Sequence, residues 1–230
     1  MENSSLGDRM KEYEALTESH LLPHVPWFLR LDGKAFHTFC RGMKKPFDEN
    51  FHELMAVTMV ECLRECGASV GYTQSDEITL MIYTEDFRSE RYFGGRIQKL
   101  CSVMAARASI DFTVLANFDK KATEIRPALF DCRAWAVPNK DEAANTFLWR
   151  EQDAVRNSIQ SLGQAHFSHS QLQGLSCKEI QEKLFQERGI NWNECEAAQK
   201  RGTWIKKGDF FLYPKFGSLS HEDRVKFLFD

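Results

Sequence analysis

The sequence predicts an α+β protein: a ferredoxin-like βαββαβ unit with an antiparallel sheet, followed by a mostly helical C-terminal appendage. Three observations carry this. Apolar runs suited to strands alternate with long helical patterns in the order strand, helix, strand, strand, helix, strand. A short polar turn, Thr73–Asp76, joins two of the runs as in an antiparallel hairpin. Beyond Pro138 the chain turns polar and helical in pattern.

The elements follow in chain order. Leu6, Met10, Tyr13 and Leu16 recur at helical spacing and predict a helix over Leu6–Leu22, ended by Pro23 and Pro26. Val25–Leu31 is a continuous apolar run with one arginine, a buried strand that Asp32-Gly33 breaks. Phe36–Pro46 reads as a loop. Asp48 caps a long helix through Cys66, and Gly67 stops it. Ala68–Tyr72 and Glu77–Tyr83 read as the hairpin strands, Tyr92–Phe112 as a second helix, and Ala128–Val137 as the last strand. Glu142–Leu162 and Cys177–Gln186 follow as helices, the latter with a capping box from Ser176 to Glu179. The expected units are residues 1–138 and an appendage, 139–230, packed on the first; no motif marks residues 208–230. Crossover handedness sets the first and third strands side by side in the centre, which brings Asp32 and Asp76 to one sheet edge.

Composition narrows the class. With 43% apolar and 27% charged residues the chain matches a soluble globular protein. Met1-Glu2-Asn3-Ser4-Ser5 lacks the basic and apolar regions of a signal peptide, and no run reaches the ~18 apolar residues of a membrane span. Seven scattered cysteines fit thiols in a reducing cytoplasm, so a cytoplasmic location is expected. The net charge is −3, yet residues 91–133 hold eight Lys/Arg against four Asp/Glu, and residues 197–216 hold five against one. Such segregated charge can bind a polyanion, though solvated helix faces give the same counts.

The candidate chemistry centres on Asp32-Gly33 and Ser75-Asp76-Glu77. Magnesium takes hard oxygen ligands, often one or two carboxylates plus substrate phosphates. Gly33 permits close approach of a metal or phosphate to the backbone. Either motif alone also reads as an ordinary turn. The Gly33–His37 turn can aim N–H groups at a phosphate, with charge from His37, Lys44 and Lys45. Arg96 and Lys99 lie three apart on one helix face, able to clamp phosphates, although a solvated face explains the spacing better. Asp131 and Arg133 share a strand face, where a structural pair is equally plausible. Trp149, Trp192 and Trp204 read as packing rather than as base-stacking platforms.

These stretches together resemble the tRNA-histidine guanylyltransferase superfamily, in particular its bacterial and archaeal-type "like" proteins, which are 3′-to-5′ polymerases. The matching residues are Leu6–Lys11, Arg30-Leu31-Asp32-Gly33-Lys34-Ala35-Phe36-His37-Thr38-Phe39, Lys45-Pro46, Ser75-Asp76-Glu77, Arg96 with Lys99, Phe130–Arg133, Trp149-Arg150 through Ile159, and Arg201-Gly202-Thr203. The resemblance implies a polymerase palm whose catalytic carboxylates are Asp32, Asp76 and Glu77. Asp32, the Gly33 carbonyl and Asp76 would hold two Mg²⁺. Lys34, Ala35, Phe36, His37, Lys45 and Ser75 would surround the nucleotide. Arg96, Lys99, Arg133, Arg156 and Asn157 would meet the triphosphate or the RNA 5′ end. ATP and GTP or other nucleoside triphosphates would be substrates, tRNA the partner, a homotetramer the assembly, and the appendage an RNA contact. Members that read histidine tRNA carry His-Ile-Asn-Asn where this chain has Arg156-Asn157-Ser158-Ile159. That departure favours template-dependent repair of tRNA 5′ ends over addition of one guanosine to histidine tRNA. A non-catalytic RNA-binding palm and a nucleotidyl cyclase are the further alternatives.

Overall fold

The computed structural model describes residues 5–118, 121, 124–208, 211–212 and 214–230. Its centre is a five-stranded antiparallel sheet in the order β4-β1-β3-β2-β5. The strands are β1 (Trp27–Gly33), β2 (Val70–Gln74), β3 (Glu77–Ile82), β4 (Phe130–Ala136) and β5 (Thr203–Lys206). The first four form the expected βαββαβ unit, with β1 and β3 adjacent in the middle. β5 comes from the region read as helical and adds to the free edge of β2.

Strand parity explains the two faces. Trp27, Leu29, Leu31, Ile78, Leu80 and Ile82 point into one core, beneath α3 (Glu49–Cys66) and α4 (Ile97–Ala116). Phe28, Met81, Val70, Tyr72 and Trp204 point into a second core, beneath α5 (Lys140–His166) and the C-terminal helix His221–Phe229. A third cluster of Ile159, Leu162, Ile180, Leu184 and Trp192 joins the end of α5 to the helix Cys177–Arg188. Residues 216–229, without a legible motif, supply Phe216 and Leu228 to the second core.

Caps behave as read. Asp48 accepts from the Phe51 N–H, Gly67 takes the left-handed conformation at its helix end, and Ser176 and Glu179 make the capping box. Three boundaries differ from the sequence reading. The first helix stops at Ala15 instead of running to Leu22, because the chain after it is pinned in extended form: the Leu21 N–H donates to the Gly95 carbonyl and the Ile97 N–H to that of Ser19. Its expected apolar stripe, Leu6, Met10, Tyr13 and Leu16, is exposed. The helix expected from Tyr92 starts at Ile97, after a 3₁₀ turn broken at Phe93, Gly94 and Gly95, all at positive φ. A Cβ on Gly95 would sit 2.7 Å from the Trp27 ring, so glycine is required there. The expected loop at Phe36 opens with one helical turn, α2 (Phe36–Phe39).

Candidate active site

The turn between β2 and β3 consists of Ser75 and Asp76, since Gln74 and Glu77 are already a register pair. Ser75 has φ 50°, a strained value for a non-glycine residue, and its hydroxyl donates to Asp76 Oδ1 at 3.1 Å. The Gly33 N–H donates to the Asp76 carbonyl at 3.0 Å, which locks this turn to the end of β1. Asp32, Glu77 and Asp131 are register neighbours on three adjacent strands and so form one row on the α5 side of the sheet. The structure thus brings Asp32 and Asp76 together at the end of the two central strands.

Electrostatics follow from that closeness. Burial pushes the Asp76 carboxyl above the usual aspartate range. The charge of Asp32 pushes the same way, while the Ser75 hydroxyl and His37 pull it down. A cation between two such carboxylates relieves the repulsion. Among the described residues no group of three or more His, Cys, Asp or Glu is placed to hold a metal ion. Two carboxylates with substrate phosphates are a donor set that suits magnesium.

Glu77, the third expected carboxylate, has two arginine partners. Arg150 Nε lies 2.9 Å from its Oε1 and Arg30 Nε 3.9 Å from its Oε2. Burial raises the Glu77 carboxyl, and the two guanidinium groups oppose the rise. Arg150 is 4% exposed and reaches Asp153 Oδ2 at 2.6 Å with Nη2. A buried ionic chain therefore runs Arg30–Glu77–Arg150–Asp153 and continues to exposed Arg156. The carboxylate of Glu77 buttresses the hairpin. Arg150 was not singled out from the sequence as a site residue. The available sign was its place, with Glu151, on the buried stripe of Phe147, Ala154 and Ser158.

The turn after β1 presents exposed Lys34, Ala35 and His37, with Ala35 at φ 56°. The Phe36 ring does not face this surface. It is buried against Phe39, Phe51, Phe112 and Phe130, so a nucleotide can meet only its backbone. Gly33 has its own packing reason, because a Cβ there would lie 2.4 Å from that ring.

Beside the carboxylates is a cleft of about 400 Å³. One wall is Cys40–Glu49 with Lys45; the others carry Gln74 and Ser75, Asn157 with Ser158 and Ser161 of α5, and Glu196–Gly202. His52 also lines it, bonded at 2.8 Å to the buried Thr203 hydroxyl, and burial lowers its pKa against the pull of Glu196. Sequence reasoning missed His52 and Gln74, since each acts only once β2, β5 and α3 are assembled.

Arg133 lies near the row of acids, 3.9 Å from Asp131 and more than half exposed. Arg96 and Lys99 do not join them. They sit at the start of α4, near Trp27, while Asp32 lies five residues along β1, about 17 Å away at ~3.3 Å per residue. There Arg96 pairs with Glu18 at 3.4 Å, Lys99 stands over the Phe93 ring, and both line a groove with Lys11.

All seven cysteines are free, and no helix among the described residues is long and apolar enough to cross a membrane. The tRNAHis guanylyltransferase family matches residues 7–138. An uncharacterized protein of Acanthamoeba polyphaga mimivirus is 31% identical, covering 89% of this chain and 78% of its own. The tRNA(His) guanylyltransferase of Saccharomyces cerevisiae is 27% identical over 91% of this chain and 93% of its own. Among solved structures, a bacterial tRNA(His) guanylyltransferase-like protein in complex with ATP aligns with a TM-score of 0.90 at 38% identity, covering 98% of this chain and all of that one. A structure of a bacterial tRNA(His) guanylyltransferase-like protein in complex with GTP aligns with a TM-score of 0.79 at 31% identity over the same shares.

Proposed function

The chain belongs to the tRNAHis guanylyltransferase family, and on that premise we propose that it is a nucleotidyltransferase that adds nucleotides to the 5′ end of tRNA in the 3′-to-5′ direction. The observation that carries the reading is the locked pair Asp32 and Asp76 beside a cleft large enough for a nucleotide base. In the first step the RNA 5′-monophosphate attacks the α-phosphorus of ATP, giving an adenylylated end and pyrophosphate. In the second, the 3′-hydroxyl of an incoming nucleoside triphosphate attacks that end; a phosphodiester forms and AMP leaves. Removal of pyrophosphate from the new end completes the cycle.

Asp32, Asp76 and the Gly33 carbonyl would hold Mg²⁺, which when bound neutralises phosphate charge and favours the attacking oxyanion. The chain's own residues supply the rest. Lys34 and His37 offer charge and a donor at the turn beside Asp76. The first N–H groups of a helical turn have no partner within it, so the Phe36 and His37 amides suit a phosphate oxygen. Lys45 and Ser75 flank the base cleft, and Asn157 faces it from α5. Arg133 and Arg156 extend positive charge over the α5 face for the RNA end. Arg96 and Lys99 would act on the RNA from the far end of the sheet, or from a neighbouring subunit of the homotetramer that the family resemblance implies. The appendage beyond Pro138 contributes the α5 wall and would contact the RNA in a cytoplasmic protein.

Template-dependent repair is favoured over guanosine addition to histidine tRNA by Arg156–Ile159 and by the nearness of the bacterial guanylyltransferase-like fold. The test uses 5′-monophosphorylated tRNAs lacking one 5′ nucleotide, with ATP and all four triphosphates. Asp32→Ala and Asp76→Ala are expected to abolish incorporation with an unchanged circular-dichroism spectrum. Near-normal incorporation in either variant would remove the metal assignment. Guanosine incorporation confined to histidine tRNA would select the narrower function.

A further inference from the structure

We propose that Trp149 is a stacking platform for an unpaired nucleobase at the RNA end presented to Asp32 and Asp76. The proposal deepens the reading of the chain as an RNA 5′-end enzyme and rests on it. Trp149 stands in the middle of α5, between buried Phe147 and buried Arg150, yet it is 51% exposed. Trp27, Trp192 and Trp204 are buried, and Trp135 stacks on Phe28. An aromatic this large is left in water at a position where packing was available one residue to either side.

Its surroundings point to a base rather than to a protein partner. The Arg150 guanidinium carbon lies 4.1 Å from the indole centroid and that of Arg30 lies 5.7 Å away. Both arginines are fixed by Glu77, so the ring is oriented by a buried ionic chain rather than by a mobile surface contact. Arg30 precedes Asp32 by two residues on the same sheet face, roughly 7 Å along the strand, so the indole stands over the residue next in line to the carboxylate row. Exposed Arg133, opposite Arg30 in register and 3.9 Å from Asp131, and exposed Arg156, further along α5 and paired with Asp153, add guanidinium groups to the same face of the sheet. A half-exposed aromatic ring held by two guanidinium groups, with further arginines on the same face, suits a base whose own phosphates meet the exposed cations.

Trp27, Trp192 and Trp204 are buried and Trp135 is partly buried, so the share of a fluorescence change that Trp149→Phe removes reports on Trp149. In the absence of nucleotide and metal ion, a 5′-monophosphorylated hairpin with an end recessed by one nucleotide is expected to quench wild-type emission more than a blunt hairpin. Trp149→Phe should lose that response. In steady state, Trp149→Ala should raise the KM for RNA about tenfold, with the KM for ATP unchanged and the loss falling on KM rather than kcat. Trp149→Phe and Trp149→Tyr should restore most of the affinity. An unchanged RNA KM in Trp149→Ala, equal quenching by the two hairpins, or quenching that persists in Trp149→Phe would overturn the platform. Recessed-end quenching in a wild-type protein that incorporates no nucleotide would support the platform and remove the proposed reaction.

Discussion

Asp76, proposed as a metal ligand, sits in its buried turn at a cost to the fold. Burial raises its pKa, and Asp32 adds to the rise, so the ionised form destabilises the metal-free protein. A carboxyl whose folded pKa exceeds its unfolded one lowers stability above that pKa, and the cost disappears as pH falls through it. Metal-free protein should therefore gain stability on acidification from neutral pH, more than Asp76→Asn does. At neutral pH Asp76→Asn should melt higher than wild type, by the equivalent of about 1 kcal/mol, while losing activity. Thermal melts of both proteins across mildly acidic pH check this, and equal pH slopes would contradict it. Arg150 carries the opposite balance. It is buried and engaged with Glu77 and Asp153, so Arg150→Met leaves buried Glu77 with only the longer 3.9 Å pairing to Arg30 and should cost about 3 kcal/mol in denaturant unfolding. A loss near zero would mean that water already reaches Glu77.

At the scale of elements, what could be read was what is local. Asp48, Gly67 and Ser176 punctuate helices through their own backbone and side-chain chemistry, and each does so in the structure. Asp32 and Asp76 were legible for the same reason: each ends a strand in a short motif, and pairing β1 with β3 does the rest. Where a boundary depends on a distant partner, the sequence pattern misled. The first helix ends early through bonds to Gly95 and Ile97. Short β5 exists because β2 offers it a free edge. Arg96 and Lys99 took their expected role from the family resemblance and not from the helix face, and spacing alone does not say at which end of the sheet they lie: β3 leaves the carboxylates, so the helix that follows starts far from them. β5 is entered through Gly202 at φ 79°, where a Cβ would lie 2.5 Å from the Thr73 carbonyl. Gly202→Ala should cost about 1–3 kcal/mol and detach β5 from β2, seen as lost hydrogen-exchange protection of the Thr203–Lys206 amides.

For the whole molecule, a sheet covered on both faces leaves Asp32 and Asp76 at one end of its central strands, where the proposed reaction would run. The second core depends on the last residues of the chain. Phe216 is fully buried and packs on Trp204 and Phe227, so Phe216→Ala should cost about 3–5 kcal/mol in unfolding without touching the cleft. Its nucleotide KM should stay at the wild-type value in the folded fraction. The net charge of −3 conceals the asymmetry that matters, since Arg133 and Arg156 lie exposed on the α5 face close to the acids. That arrangement suits an RNA whose end, and not its length, is the reactive part. Direction of growth is the central claim, and it can be read directly. A 5′-monophosphorylated, 5′-recessed tRNA whose 3′-terminal ribose has been oxidised with periodate cannot be extended at its 3′ end. With ATP, nucleoside triphosphates and Mg²⁺, wild-type protein is expected to lengthen this RNA at its 5′ end by the nucleotide complementary to the acceptor strand, as read by mass spectrometry. An RNA that stays unextended once its 3′ end is blocked, while the unblocked RNA grows, would contradict the account.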